Sequence, residues 1–187
     1  MANTFTSINV HIVFHVKSTG IKILNKDLER TFSYIGGIIN GIGGIPIEIG
    51  GIDNHIHILT SLPKNKSLSD FVRIIKSDSS RWIKTIDKYY NKFSWQEGYG
   101  AFSVSTTSVV KTINYIRNQN KHHTTMTFRE EYKSLLDAYG KNMTINMHLI
   151  DYLSLLRSFK NHLGVVYRCS VLRTAHLPIF CRPYRDL

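Results

Sequence analysis

The sequence predicts an α+β domain, an antiparallel sheet covered by helices with ferredoxin-like connectivity. Three observations predict it. Segments of period two and segments of helical period follow in the order strand, helix, strand, strand, helix, strand, helix. Glycine-rich or polar breaks separate them. A length of 187 residues, 42% hydrophobic and 20% charged, suits one packed core with a tail.

In the first segment Ile8, Val10, Ile12, Phe14 and Val16 share one face, and Asn9, His11, Val13, His15 and Lys17 the other, as in a half-buried strand. Asn25 is placed to cap a helix reaching about Asn40, with Leu28, Phe32, Ile35 and Ile39 as its apolar stripe. Glycines 41, 43 and 44 end it. Pro46 to Gly51 and His55 to Leu62 are rich in β-branched residues and read as an antiparallel pair joined around Ile52-Asp53-Asn54. Ser67, with Asp70 at capping-box distance, opens a second helix whose Leu68, Phe71, Ile74 and Ile75 face inward. Trp95 to Val104 reads as a loop feeding a short strand at Phe102 to Val104. A third helix runs from about Ser108 to His122 and a fourth from Thr127 to Tyr139.

Residues from about Asn142 differ in kind: they carry a net +4, against +7 for residues 1 to 141, and show no clear period after Leu163. The expected organisation is a domain over 1–141 and an extension over 142–187. No stretch approaches the roughly 20 apolar residues of a membrane span, and Met1 to Ile8 lacks a signal peptide's basic start and apolar run. A cytoplasmic protein is expected. The two cysteines, Cys169 and Cys181, form no CxxC pattern and suit a reducing compartment. The net charge of +11 points to a polyanionic partner, nucleic acid or an acidic membrane surface.

The sharpest local feature is His55-Ile56-His57. Residues two apart on a strand project to one face, so the imidazoles stand about 7 Å apart by strand rise and can share a metal ion. The plain alternative is two histidines decorating a sheet surface. Other uses of the pattern lack their partners: position 59 is Leu59 rather than a third histidine, no second His-x-Ser/Thr element is evident, and HExxH is absent.

On the third helix Val109, Val110, Ile113 and Ile116 cluster on the expected core side. Tyr115 points almost opposite, with Gln119 at i+4 and His122 at i+7 on the same expected exposed face. Surface decoration is the competing explanation for Tyr115. A phenol beside a metal-binding histidine pair can attack a phosphodiester once a divalent ion polarises it. A phosphotyrosine ester conserves the energy of the broken bond, so a DNA 3′-hydroxyl can reverse the step.

Asp53-Asn54-His55-Ile56-His57-Ile58-Leu59, Trp95-Gln96-Glu97-Gly98-Tyr99-Gly100-Ala101-Phe102-Ser103-Val104 and Tyr115-Ile116-Arg117-Asn118-Gln119-Asn120-Lys121-His122-His123 together resemble the single-tyrosine HUH transposases. These belong to the smallest bacterial insertion sequences, the IS-two-hundred type, and to repeat-associated domesticated relatives. The opening strand and Thr127 to Tyr132 fit as well, so the resemblance covers about residues 1 to 141. It implies an RRM-like fold of the HUH endonuclease type, and a homodimeric, nucleoid-associated DNA transposase acting on single-stranded DNA with hairpins near the element's ends. It also implies Mg²⁺ or Mn²⁺ on His55 and His57, Gln119 as a further ligand, and Tyr115 as the nucleophile forming a 5′-phosphotyrosine link. Sites shared between subunits are part of the same expectation. The 142–187 extension does not resemble the family's usual ending.

Lys64, Lys66, Arg73, Lys76, Arg81 and Lys84 cluster around the second helix and are the expected DNA-binding face, with a solvated helix exterior as the alternative. Trp82, Trp95 and Tyr99 can stack on bases or belong to the core. His11 and His15 carry no assigned role. The rival reading in another class is a non-catalytic basic nucleic-acid-binding module; within the same chemistry, a domesticated relative would cut chromosomal repeat hairpins.

Overall fold

The computed structural model describes residues 5–17, 21–119, 127–138, 167–168 and 182–183. The chain divides into two compact units, Met1–Tyr132 and Lys133–Leu187. In the second, the short strands Tyr167–Arg168 and Arg182–Pro183 pair antiparallel.

The first unit is built on four strands: β1 (Asn9–His15), β2 (Ile45–Ile52), β3 (His55–Ser61) and β4 (Gly100–Val104). They lie in the order β2-β3-β1-β4, and every neighbouring pair is antiparallel. Helices α1 (Asn25–Gly41) and α2 (Leu68–Ile86) make the two crossovers, which gives the ferredoxin-like α+β arrangement. Helix α3 (Val109–Arg117) follows β4, and α4 (Phe128–Ala138) comes next among the described helices.

The period-two alternation sorts β1 and β3 onto two faces. Ile12, Phe14, Ile56 and Ile58 pack with Ile35 and Ile39 of α1 and with Phe71, Val72, Ile75 and Ile83 of α2. Each such side chain, fully buried, contributes about 1.5–3 kcal/mol of transfer free energy, which makes this layer the stabilising core. The opposite face carries His11, Val13, His55, His57 and Leu59, and Leu59 packs with Val104 and with Ile116 of α3.

That second face is where the structure departs from the sequence reading. β1 was expected half-buried, yet His11 is 2% and Val13 1% exposed. Elements after β4 cover the face, and no local periodicity reveals a cover supplied from far along the chain. Gly50 of β2 shows how closely α3 approaches. A Cβ added there would stand 2.8 Å from Ile116 Cγ2 and 3.0 Å from the Ile116 carbonyl oxygen. Arg117 clips the same helix to the sheet through Nε and a terminal nitrogen on Glu48 Oε2, at 2.9 and 2.8 Å.

Smaller corrections concern ends and faces. α1 begins after Leu24 with no side-chain cap, so Asn25 is its first residue rather than its cap. Ser67 does cap α2, accepting from the Asp70 amide at 3.1 Å. Val72 takes the buried place expected of Ile74, which is half-buried. α3 ends at Arg117, and Val110, expected in its core stripe, is 67% exposed. His122 lies outside the described residues.

Candidate metal centre and tyrosine site

β3 places both histidines as the alternation requires. His55 and His57 are fully buried, their ring centres 5.0 Å apart and their planes at 78°. The structure adds a third group, Glu131 from the first turn of α4, 3% exposed. Its Oε2 lies 3.3 Å from His55 Nε2 and its Oε1 3.4 Å from His57 Nε2. One ligand atom from each of the three falls within 4.8 Å of the others; ligands about 2.1 Å from one ion stand at most about 4.2 Å apart, so a small inward shift of the side chains lets the three share a divalent ion. Two neutral nitrogens and one carboxylate suit a borderline or hard divalent cation.

Gln119, just past the end of α3, is 1% exposed. Its Nε2 donates to Glu131 Oε1 at 2.8 Å, and its Oε1 lies 3.4 Å from His55 Nε2. Tyr115 also donates its hydroxyl hydrogen bond to Glu131 Oε1. Its ring stands edge-on to His57, at 5.7 Å between centres. The tyrosine and the amide thus share one helix face, as the i, i+4 spacing requires, but that face is turned to the sheet, with Gln119 buried and Tyr115 half-buried.

Burial, and then hydrogen bonding to the Glu131 carboxylate, pushes the Tyr115 phenol above its usual range. Burial alone would raise the Glu131 carboxyl, but the His55 and His57 imidazoles beside it, with the hydrogen bond from Tyr115, hold it well below the usual carboxylate range. A carboxylate kept ionised in a buried site favours a cation. His11 lies beside His57, its Nε2 2.9 Å from His57 Nδ1. Burial, reinforced by His57 and opposed by Glu131, brings its pKa down to about 3, so it is neutral at physiological pH.

Glu131 and His11 were missed in the sequence. Glu131 falls inside a segment that fits the family resemblance, but no spacing rule links an acid in a distant helix to the histidine pair. His11 did carry a signal: it sits on the same strand face as His15, and the pairing of β1 with β3 brings that face to the histidines.

The expected basic residues are spread around α2. Lys64, Arg73, Arg81 and Lys84 are exposed and Lys66 is half-buried. Lys76 donates to the carbonyls of Gln96 and Gly98, both at 2.6 Å, and burial lowers its pKa. Lys76, Arg81 and Lys84 line an open cleft of about 480 Å³ with Ser77, Ser80 and the 94–97 segment. Trp95 belongs to the core, edge-on to Phe14 and Phe93 and donating to Ser79 Oγ at 2.9 Å. Trp82 stacks on Tyr34 at 4.2 Å, while Tyr99 is 39% exposed.

The chain belongs to the family described as Transposase IS200 like, whose model matches residues 4–119. Membership makes it a DNA-cleaving enzyme of DNA transposition, and the His55, His57 and Glu131 group fits a divalent metal. A candidate transposase from Deinococcus radiodurans has a similar fold, with 16% identity, a TM-score of 0.50 and coverage of 64% of this chain and 95% of that one. A REP-associated tyrosine transposase bound to a REP hairpin matches at 12% identity and a TM-score of 0.49, over 66% of this chain and 73% of that one. No curated protein matches. Among the described residues no helix is long and apolar enough to cross a membrane.

Proposed function

We propose that the protein cuts and rejoins single-stranded DNA by transesterification, with Tyr115 as nucleophile and Mg²⁺ or Mn²⁺ held by His55, His57 and Glu131, and by Gln119 through Oε1. The observation that carries this reading is the convergence of the Tyr115 hydroxyl and both imidazoles on one buried carboxylate. A divalent ion held by these residues would supply Lewis-acid polarisation of the scissile phosphodiester and stabilise the charge that builds on it. Tyr115 Oη forms the new bond to phosphorus, the bond to the 3′-oxygen breaks, and the DNA leaves with a 3′-hydroxyl. The phenol proton is released as the new bond forms and the departing 3′-oxygen takes one up, so the step needs no net proton, and the hydrogen bond to Glu131 Oε1 holds the phenol oxygen in place before attack. Attack by a 3′-hydroxyl on the phosphotyrosine reverses each of these changes.

Incubation of end-labelled single-stranded hairpin DNA from the flanks of the gene with protein and Mn²⁺, followed by denaturing electrophoresis, tests the reading. A slow-migrating protein–DNA adduct is expected, absent with chelator and absent in Tyr115→Phe. An adduct that survives Tyr115→Phe overturns the assignment. A non-catalytic binding module would form none, and would have no use for a buried His-His-Glu cluster.

The expected homodimer with shared sites bears on which subunit supplies the tyrosine. Tyr115 lies against its own chain's His57, which supports a site assembled within one subunit. Mixing His57→Ala with Tyr115→Phe subunits then restores no adduct; restored activity would establish sharing. For DNA binding we read the exposed Lys64, Arg73, Arg81 and Lys84, with Lys66, as the phosphate-tracking face and Lys76 as the floor of its cleft. Removing Arg81 or Lys84 lowers the slope of log affinity against log salt by about 0.7 each on single strands. An unchanged slope in both variants moves the binding face elsewhere.

A further inference from the structure

We propose that His11 is a positioning residue: it sets the tautomer of His57 and thereby aims the His57 Nε2 lone pair at the metal position. The inference rests on reading His55 and His57 as metal ligands. Each ligand histidine in this site turns Nε2 toward Glu131 and Nδ1 toward a neighbour. For His55 the neighbour is Asn54, whose Oδ1 accepts from Nδ1 at 2.6 Å. That bond places the proton on Nδ1 and leaves Nε2 bare, the arrangement a metal-bound imidazole needs.

For His57 the corresponding neighbour is the Nε2 of His11, at 2.9 Å. A neutral imidazole holds one proton. If His57 is to present a lone pair at Nε2, its proton sits on Nδ1 and is donated to His11. His11 must then accept at Nε2 and carry its own proton on Nδ1. Strand register builds the contact in: Val13 stands opposite His57, and His11 is its neighbour two residues along on the same face. The His11 ring has little room to turn, being stacked on His57 at 5.1 Å, edge-on to Tyr115 at 6.1 Å and tilted against Phe102 at 6.4 Å. At 2% exposure, water does not replace it as the acceptor.

The test compares the full-length wild type with His11→Phe, His11→Gln and His57→Ala. Mn²⁺ affinity is measured by calorimetry, melting temperature without metal, and histidine protonation by ¹⁵N NMR of the metal-free protein. We expect His11→Phe to lose about 10- to 100-fold in Mn²⁺ affinity, the range for an outer partner of a metal-ligating histidine. His11→Gln recovers most of it, because its side-chain amide oxygen reaches the same point and can accept. The wild-type spectrum shows His57 protonated at Nδ1, and His11→Phe shows a mixture. Unchanged affinity in His11→Phe, or a wild-type His57 protonated at Nε2, overturns the proposal. A lowered melting temperature with unchanged affinity reduces His11 to a packing residue. If His57→Ala binds Mn²⁺ as tightly as wild type, the ligand reading itself fails, a result separate from the other two.

Discussion

The hydroxyl of Tyr115 donates its hydrogen bond to Oε1 of Glu131. The same oxygen accepts from Gln119 at 2.8 Å and lies 3.4 Å from His57 Nε2. One carboxylate therefore ties the candidate nucleophile to the candidate metal donors. A buried, ionised carboxylate persists only with compensating partners, and here those partners are the candidate nucleophile and candidate metal ligands.

Glu131 is consequently the residue whose loss separates metal binding from the rest of the site. Glu131→Ala lowers Mn²⁺ affinity by at least about tenfold and removes the covalent adduct, while Glu131→Gln, which still accepts from Tyr115, keeps the phenol in place but binds the ion weakly. Calorimetry with Mn²⁺ on both variants checks this. Affinity unchanged in both would remove Glu131 from the ligand set.

Gly50 packs against the α3 backbone at Ile116, the residue after Tyr115. Gly50→Ala sets a methyl group 3.0 Å from the Ile116 carbonyl, next to Tyr115, and backbone cannot yield as a side-chain tip does. Since Gly50 pairs with His57, the push falls where α3 meets the histidine strand. The expected cost is about 1–3 kcal/mol of stability, with adduct formation falling more than Mn²⁺ affinity. Equal falls in both would show that the substitution damages the sheet rather than displacing α3.

Much of this was legible in the sequence. Alternation in β1 and β3, the glycine break after α1 and the Ser67 cap fix local choices, and ferredoxin-like connectivity follows from the order of those elements. His55 and His57 could be placed on one face because strand period is a local property, and Tyr115 with Gln119 because helical period is. Whether a face meets solvent depends on which distant segment covers it. The sheet's second face, read as half-exposed through His11 and Val13, is buried. The Tyr115 face of α3 turns inward, and Glu131 enters from α4. Asp27 was unread for the same reason: it is buried on α1, where Arg30 reaches Oδ1 at 2.6 Å and the Tyr90 hydroxyl donates to Oδ2 at 2.6 Å.

That Tyr90 contact has a pH signature. Burial, then its bond to Asp27, raises the Tyr90 pKa from 10.0 to about 12. A group whose pKa is raised on folding stabilises fully below its unfolded value, so this contribution is intact below pH 10 and is lost between pH 10 and about 12. At about 1.4 kcal/mol per unit, the loss amounts to about 3 kcal/mol at most. Tyr90→Phe starts less stable by about 1–3 kcal/mol, since Asp27 Oδ2 and the Leu24 amide each lose a partner, and then declines less steeply. Urea unfolding at several pH values from 8 to 12 checks the difference. Parallel curves for the two proteins would remove Tyr90 from the alkaline transition.

The central claim is that Tyr115 takes up the DNA phosphate. Lys111 and Arg117 bracket it, so trypsin releases Thr112 to Arg117 as one short peptide. After reaction with single-stranded DNA and Mn²⁺, nuclease trimming and trypsin, mass spectrometry should find that peptide carrying a 5′-phosphate-linked nucleotide on the tyrosine, and lacking it when metal is chelated. The unmodified peptide alone beside cleaved DNA, or a nucleotide on another residue, would contradict the account.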